Sequence, residues 1–283
     1  MIVVDAHHHL WDPRAREYPW MAGPELAPIR HPYTLEDLRR ETAAAGIAHT
    51  VLVQTVSHEA ETEEFLVTAS ASQGLIAGVV GWVDLTAPDV AGGLDRLRAG
   101  RGGDLLVGVR HQVEDESDLS WLARPAVRRG LRAVAAAGLA YDLLVRVPQL
   151  PLARSVAGEL PDARLVLDHA AKPGVAGGSL DPWAGELAAI ARLPNVVCKL
   201  SGLVTEARWD DWDADLMRPY ADHLLAAFGP DRLMFGSDWP VCELAASYGQ
   251  VRGLAEALLE GLSPAERDAV FRGTAARTYR LVL

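Results

Sequence analysis

The 283-residue sequence has little lysine, few cysteines and no long apolar segment. Its two cysteines, Cys198 and Cys242, lack CxxC spacing and cannot build a disulfide framework. No apolar run is long enough to span a membrane. We expect no signal peptide, because a strand-like apolar run begins at residue 2. These absences predict a cytoplasmic protein.

Positive charge is also scarce, with 27 basic residues against 38 acidic ones and a net charge of −11. Because no basic block is present, the sequence argues against nucleic acid as a partner and against an anionic membrane surface. Lysine occurs only at positions 172 and 199. A coding bias toward arginine accounts for the arginine excess, but it does not explain why lysine remains at these two positions.

Hydrophobic residues make up 49% of the chain and charged residues 23%, as in ordinary folded globular proteins. Eight short runs rich in Val, Ile and Leu are typical of buried parallel strands. They cover residues 2–5, 50–54, 75–83, 105–109, 140–145, 164–167, 196–200 and 233–236.

Helical patterns fill the gaps between these runs. We predict helices over 34–46, 59–72 and 125–137, and a last helix that opens with a capping box at Ser263. Eight strands alternating with helices favour the α/β class, as a (β/α)8 TIM barrel in which residues 1–283 form a single domain. A doubly wound sheet is the alternative.

Residues 11–33 interrupt this alternation with five prolines and four large aromatic residues. Such a segment is too rich in proline for a helix. We predict a long loop over the mouth of the barrel, where it would shape a substrate pocket. The alternative is a segment that merely packs against the barrel.

Polar residues follow every predicted strand, and barrel active sites lie at these carboxyl ends. Residues two apart in a strand share a face, so His7 and His9 should point together into the mouth while His8 points away. Paired imidazoles on one strand suit a divalent metal. Further polar residues follow the later strands: Gln54, Trp82, Asp84, Arg110, His111, Asp142, Asp168, His169, Lys172, Lys199, Ser201, Ser237 and Asp238. Both lysines belong to this set, which favours a catalytic site.

The constellation of His7-x-His9, a histidine after strand six and an aspartate after strand eight resembles the amidohydrolase superfamily. Six local phrases resemble its sugar-lactonase branch, which includes L-fuconolactonase and L-rhamnonolactonase and is related to 2-pyrone-4,6-dicarboxylate lactonase. They are DAHHHLWD (5–12), YPWM (18–21), GVRH (108–111) with DExD (115–118), LDHAAKP (167–173), CKLSGLVTE (198–206) and FGSDWP (235–240). The resemblance covers essentially the whole chain.

The resemblance implies Asp238, His169 and Arg110 as catalytic residues. It also implies that one divalent metal, with zinc favoured, is held by a subset of His7, His9, His169 and Asp238. Metal-rich members of the superfamily carry a lysine or glutamate after strand four and a histidine after strand five. Arg110 and Asp142 stand near those places here, and arginine cannot ligate a cation. A two-metal site is therefore not expected, and a site without metal stays open.

Six residues are expected to contact the substrate: Trp11, Trp20, His111, Lys172, Lys199 and Trp239. The tryptophans offer flat faces for a sugar ring, although core packing is an alternative for them. Arg110, Lys172 and Lys199 would stabilise an oxyanion or bind an electron-rich or anionic ligand. Alternatively, these cations form structural ion pairs with Asp142, Asp168 or other acids. His111 could contact the substrate or orient its neighbours.

The predicted reaction is ring opening of a sugar-acid lactone by a water that Asp238 activates. Other chemistries on the same barrel remain open: a pyrone or muconate lactonase, a sugar-lactone isomerase or a decarboxylase. A metal-dependent nuclease barrel is disfavoured by the acidic charge, and a sugar-binding module without catalysis is the non-enzymatic alternative. The sequence makes no prediction of oligomeric state.

Overall fold

The computed structural model describes residues 2–283, and its centre is a single sheet of eight parallel strands. Each strand pairs with the next in sequence order. The strands are β1 (Val4–His8), β2 (His49–Val53), β3 (Ile76–Gly81), β4 (Leu106–His111), β5 (Ala140–Leu143), β6 (Arg164–Leu167), β7 (Val196–Leu200) and β8 (Leu233–Phe235). Each coincides with a predicted apolar run to within a few residues.

Helices follow the strands and form the outer layer. They are α1 (Leu35–Ala45), α2 (Glu59–Ala71), α3 (Val90–Ala99), α4 (Pro125–Ala136), α5 (Leu150–Glu159), α6 (Trp183–Ala191), α7 (Ala214–Phe228), α8 (Tyr248–Leu258), α9 (Pro264–Asp268) and α10 (Thr274–Tyr279). Two of the predicted helix starts are confirmed, because Thr34 and Ser263 each form a capping box at the N-terminus of a helix. Among residues 2–283, no helix combines the length and the apolar character that crossing a membrane requires.

The barrel is closed by contacts between its first and last strands. The backbone N–H of Asp238 donates to the carbonyl of His7 at 2.8 Å, and that of His9 donates to the carbonyl of Trp239 at 2.7 Å. Below them, the Asp5 carboxylate accepts from the backbone N–H of Ser237 at 2.8 Å and from its hydroxyl at 2.6 Å. This closure confirms the (β/α)8 barrel and excludes the doubly wound sheet, which has two free edges.

The barrel interior is a separate apolar cluster to which all eight strands contribute, with side chains such as Val4, Val51, Val166 and Met234. Two residues of α10, Ala275 and Tyr279, complete it. The hydroxyl of Tyr279 donates to Asp142 Oδ2 at 2.7 Å. The last helix therefore contacts the charged residues above the apolar interior. The larger core lies between the strands and the helices.

The loop 11–33 is anchored at its two ends. The backbones of Trp11 and Tyr33 exchange two hydrogen bonds, of 3.3 and 2.8 Å. The Trp11 indole N–H donates back to the carbonyls of Ile29 and His31. With its ends fixed, the loop reaches the cavity at the carboxyl end of the barrel through Trp20.

Candidate active site

Three histidines and one aspartate converge at the carboxyl ends of the strands. Nε2 of His7 lies 3.1 Å from Nε2 of His9. The Asp238 Oδ1 atom lies 3.5 Å from His9 Nε2 and 3.8 Å from Nε2 of both His7 and His169. All four side chains are buried, with at most 4% of any residue exposed. The four atoms therefore face one small volume.

An irregularity in β1 directs His7 and His9 into the mouth of the barrel. Strict alternation would put Asp5 on the same face as His7. The pairing of β1 with β2 shifts between Asp5 and His8, so that one extra residue is accommodated in β1. As a result Asp5 contacts Tyr248 of α8, with 2.7 Å between its Oδ2 and the Tyr248 hydroxyl, whereas His7 faces Lys199. The bulge separates a structural carboxylate from a site histidine.

The partners of His9 and His169 leave their Nε2 atoms facing the cluster. His9 Nδ1 lies 2.8 Å from the carbonyl oxygen of Val53, which can only accept, so this nitrogen carries the proton. His169 Nδ1 lies 2.9 Å from the Ser201 hydroxyl. Burial lowers the pKa of His9 to about 3 and that of His169 to about 4. Both rings are thus neutral at physiological pH and suited to bind a cation.

His7 rests on a network of buried charges. Its Nδ1 lies 3.0 Å from Lys199 Nζ, and that ammonium lies 2.6 Å from Asp142 Oδ2 and 2.9 Å from Asp168 Oδ1. Arg110 completes the network, with its Nη1 3.1 Å from Asp168 Oδ2. Burial would raise the pKa of Asp168, but the adjacent Lys199, His7 and Arg110 outweigh it and hold this pKa well below its usual value. The charges of two cations and two carboxylates thus compensate each other beneath the histidines.

A left-handed turn after β6 positions His169. Four successive residues, from His169 to Lys172, have φ between 50° and 59°. Each costs about 1–2 kcal/mol relative to a right-handed conformation. The Trp183 indole N–H, which donates to the Ala170 carbonyl at 2.7 Å, is one of the contacts that hold the turn. Gly202 lies against the His169 ring, where a Cβ on Gly202 would fall 2.8 Å from Nδ1.

Asp238 follows β8 and is also in the left-handed region, with φ of 58°. Burial raises the pKa of its carboxyl, although His169 and Lys172 nearby act in the opposite direction. A carboxylate with a raised pKa is a better proton acceptor than an exposed one. Its place at the centre of three imidazoles fits either a metal ligand or a general base.

The cluster opens into a cavity of about 280 Å³. Six of the predicted site residues line it: His9, Trp20, Arg110, His169, Lys172 and Asp238. His7 contacts four of these from below: His9, Arg110, His169 and Asp238. The cavity therefore brings together the predicted catalytic residues, one predicted tryptophan and one of the two lysines.

Four residues predicted to bind substrate lie outside this cavity. Lys199 is fully buried in the charge network, as the ion-pair alternative describes. Trp11 packs within the loop 11–33, and the Trp239 indole N–H donates to Glu243. His111 stacks on Trp121 at 4.1 Å and is held between Trp82 and Glu116. These four side chains support the site from behind.

Several residues of the cavity wall were not among the predicted site residues. Glu114, Arg146 and Trp209 line the cavity, as do Asp115 and Glu206. The last two fall within phrases that carry the family resemblance, and this was the only signal for them. The other three stand in loops, where no periodicity indicates which side chain faces the substrate.

The donor set fits a single divalent metal. The ligand atoms of His7, His9 and Asp238 lie within 4.8 Å of one another, as do those of His7, Asp168 and His169. Neutral imidazole with carboxylate is the ligand chemistry that zinc prefers. The contact of His7 Nδ1 with the Lys199 ammonium, which can only donate, leaves the proton of a neutral His7 on Nε2. His7 joins the metal set in the other tautomer, whose Nδ1–H faces Asp168 Oδ1 at 3.5 Å and whose Nε2 is bare.

Residues 4–281 match the family model described as amidohydrolase. The chain belongs to this family. It is 42% identical to a Burkholderia multivorans protein named L-fucono-1,5-lactonase, over 98% of this chain and 96% of the other protein. A protein of the same name from Burkholderia ambifaria is 35% identical over 98% of this chain and 95% of the other. Both relatives are thus matched along nearly their entire length.

Solved structures place this amidohydrolase among proteins of the same fold. A Burkholderia multivorans amidohydrolase with bound zinc superposes with a TM-score of 0.93 at 41% identity, covering 100% of both chains. A probable 2-pyrone-4,6-dicarboxylic acid hydrolase from Acinetobacter baumannii superposes with a TM-score of 0.80 at 16% identity, over 99% of this chain and 100% of the other. The second likeness concerns the fold alone.

Proposed function

We propose that this amidohydrolase hydrolyses the ring ester of a sugar-acid lactone of the L-fucono-1,5-lactone type. One observation carries the proposal: His9, His169 and Asp238 converge at the floor of a cavity with polar walls. Full-length similarity to two proteins named L-fucono-1,5-lactonase supports the substrate class.

We assign one zinc ion to His9, His169, Asp238 and His7. The bare Nε2 of His9 and the neutral state of both buried rings support this assignment, as does the zinc in the Burkholderia multivorans structure. When bound, zinc polarises the lactone carbonyl and lowers the pKa of a water molecule. Arg110 fills the space beside His7 with a cation, which supports one metal rather than two.

Asp238 is the proposed general base. It takes a proton from water as the water oxygen bonds to the lactone carbonyl carbon. It returns that proton to the ring oxygen as the bond between this oxygen and the carbonyl carbon breaks. The product is an open-chain hydroxy acid. Burial of Asp238, which raises the pKa of its carboxyl, favours the first transfer.

The cations that line the cavity are Arg110, Arg146 and Lys172. Arg110 contacts the histidine cluster, with its Nη1 3.3 Å from His7 Nε2. The other edge of the Arg110 guanidinium is fixed by the Gln54 side chain, with 3.0 Å between Arg110 Nε and Gln54 Oε1. We assign to Arg110 the stabilisation of the developing oxyanion. Trp20 contributes an aromatic wall for the sugar ring.

The test is acid release from L-fucono-, L-rhamnono- and D-galactono-lactones, before and after dialysis against a chelator. We expect turnover of at least one lactone, loss of activity on chelation and recovery with zinc. No acid release from any of them would overturn the proposal, and pyrone or muconate lactones and decarboxylation would be assayed next. Activity that survives chelation would overturn the zinc assignment but would leave the proposed reaction in place.

We also propose the cytoplasm as the compartment. Cys198 and Cys242 are both buried free thiols, which is the usual state of cysteine in a reducing compartment.

A further inference from the structure

Glu206 is a cavity-lining carboxylate with no hydrogen-bond or ion-pair partner among the side chains of residues 2–283. It lies in the loop between β7 and α7 and is partly buried. An ionised carboxylate only accepts hydrogen bonds, and withdrawing it from water without a donor costs free energy. Burial accordingly raises its pKa, in spite of Lys172 nearby. A ligand that brings donors into the cavity would remove this cost.

The backbone holds Glu206 in place. Its N–H donates to the Leu203 carbonyl at 3.2 Å, and its carbonyl accepts from the N–H of Ala176 at 2.9 Å. On either side, the Thr205 hydroxyl donates to Gly202 and the Trp209 indole N–H donates to Thr205. The same loop starts at Ser201, which contacts His169. The backbone of Glu206 is therefore fixed relative to the catalytic cluster.

Each cation of the cavity pairs with a carboxylate other than Glu206. Lys172 Nζ lies 2.5 Å from Glu114 Oε1, and Arg146 Nε lies 3.4 Å from Glu114 Oε2. Arg110 is paired with Asp168. Glu206 and the more exposed Asp115 have no cation within 4.0 Å in the described part of the chain. An anionic group placed beside Glu206 and Asp115 would thus face two carboxylates.

We propose that Glu206 accepts hydrogen bonds from substrate hydroxyl groups and thereby selects uncharged, polyhydroxylated lactones over lactones that carry a carboxylate. This inference rests on the proposed lactonase function for the identity of the reacting bond. It goes beyond that function by assigning specificity to one residue. It also narrows the expectation of an electron-rich or anionic ligand, which was based on the placement of Arg110, Lys172 and Lys199, to uncharged ligands.

The test compares wild type with Glu206→Gln in two assays. The first is kcat/KM for the lactone that turns over best. We expect a decrease of about 10- to 100-fold, the equivalent of one charge-assisted hydrogen bond. The second is binding of phthalate, a dicarboxylate without hydroxyls, followed by tryptophan fluorescence because Trp20 and Trp209 line the cavity. Removal of a like charge should tighten phthalate binding about 3-fold or more.

A lower kcat/KM for the lactone together with tighter binding of phthalate supports the proposal. A decrease in both, as general damage to the site would cause, overturns it, and so does an unchanged kcat/KM. Asp210→Asn is the matched control, because it removes one charge from the same loop but Asp210 does not line the cavity. Glu206→Ala serves as the second variant if Glu206→Gln folds poorly.

Deoxy-lactones give an independent check. For a lactone that lacks the hydroxyl bound by Glu206, the substitution Glu206→Gln should change kcat/KM by less than about 2-fold. An equal loss for every deoxy-lactone would contradict the proposal. If wild type turns over no lactone, the proposed reaction fails, and Glu206 is still tested by fluorescence: weaker binding of the intact lactone with tighter binding of phthalate supports it, and any other pair of changes overturns it.

Discussion

The ammonium of Lys199 lies 2.6 Å from Asp142 Oδ2, beneath the histidines and outside the cavity. Neither side chain is exposed to solvent. Lys199 is thus the central cation of a buried network, whereas Lys172, the other lysine, lines the cavity.

We expect Lys199→Met to destabilise the fold by about 3–5 kcal/mol, because it leaves Asp142 and Asp168 buried with too little positive charge. Lys172→Met is the matched control and should cost about 1 kcal/mol or less, since Arg146 remains beside Glu114. Urea unfolding followed by circular dichroism measures both. Equal midpoints for the two variants would show that the buried network does not stabilise the fold.

Gly202→Ala should reduce activity by about 100-fold, because the new Cβ pushes the His169 ring from its position. Gly178→Ala separates this effect from backbone strain. Gly178 has the same φ of 68°, but a Cβ there meets no atom within 4 Å. Both variants should lose about 1–2 kcal/mol of stability, and only Gly202→Ala should lose activity. If both retain activity, the contact with His169 is unimportant for catalysis.

His9→Asn and His169→Asn should each lower the zinc content of the purified protein by at least about 10-fold, because each removes a neutral nitrogen ligand. His8→Asn is the control. His8 is also buried in β1, but it is absent from the groups of atoms that could hold a metal. Metal analysis after reloading with zinc gives the answer. The ligand assignment is wrong if all three variants retain the same zinc content.

Asp238→Asn should lower kcat by about 100- to 10,000-fold, because an amide cannot accept the proton of the attacking water. The fold should persist, since the backbone bond from Asp238 N–H to His7 is kept. Stopped acid release together with an unchanged unfolding midpoint is the expected result. Near-normal turnover would remove Asp238 from the role of base.

The sequence was sufficient to predict the barrel and the face that His7 and His9 share, but not the bulge in β1 that separates this face from Asp5. Apolar runs define the strands, and alternation within a strand defines the face on which a side chain lies. Alternation does not define depth, that is, how far along the barrel axis toward the cavity an inward side chain lies. Arg110 and Lys199 both follow apolar runs and both point inward, yet only Arg110 reaches the cavity. Depth depends on the stagger of eight strands, which no single run encodes.

The other site residues that the sequence failed to place stand in loops. Trp11 and Trp20 stand in the same proline-rich loop, and no pattern in the sequence distinguishes the position of one from that of the other. The hydrogen bonds of the Trp11 indole to Ile29 and His31 turn it away from the cavity, and these contacts depend on tertiary structure. Arg146 and Trp209 stand in loops without periodicity, so neither was predicted.

The contact of β1 with β8 also orders events during protein synthesis. His7 and Asp238 are 231 positions apart, so at about 5–20 residues per second their translation is separated by roughly 10–50 s. During that interval His7 and His9 have been synthesised, but Asp238, which completes their cluster, has not. The site can assemble only after Asp238 has left the ribosome. The complete cluster therefore becomes available to a metal ion only after all eight strands have been synthesised.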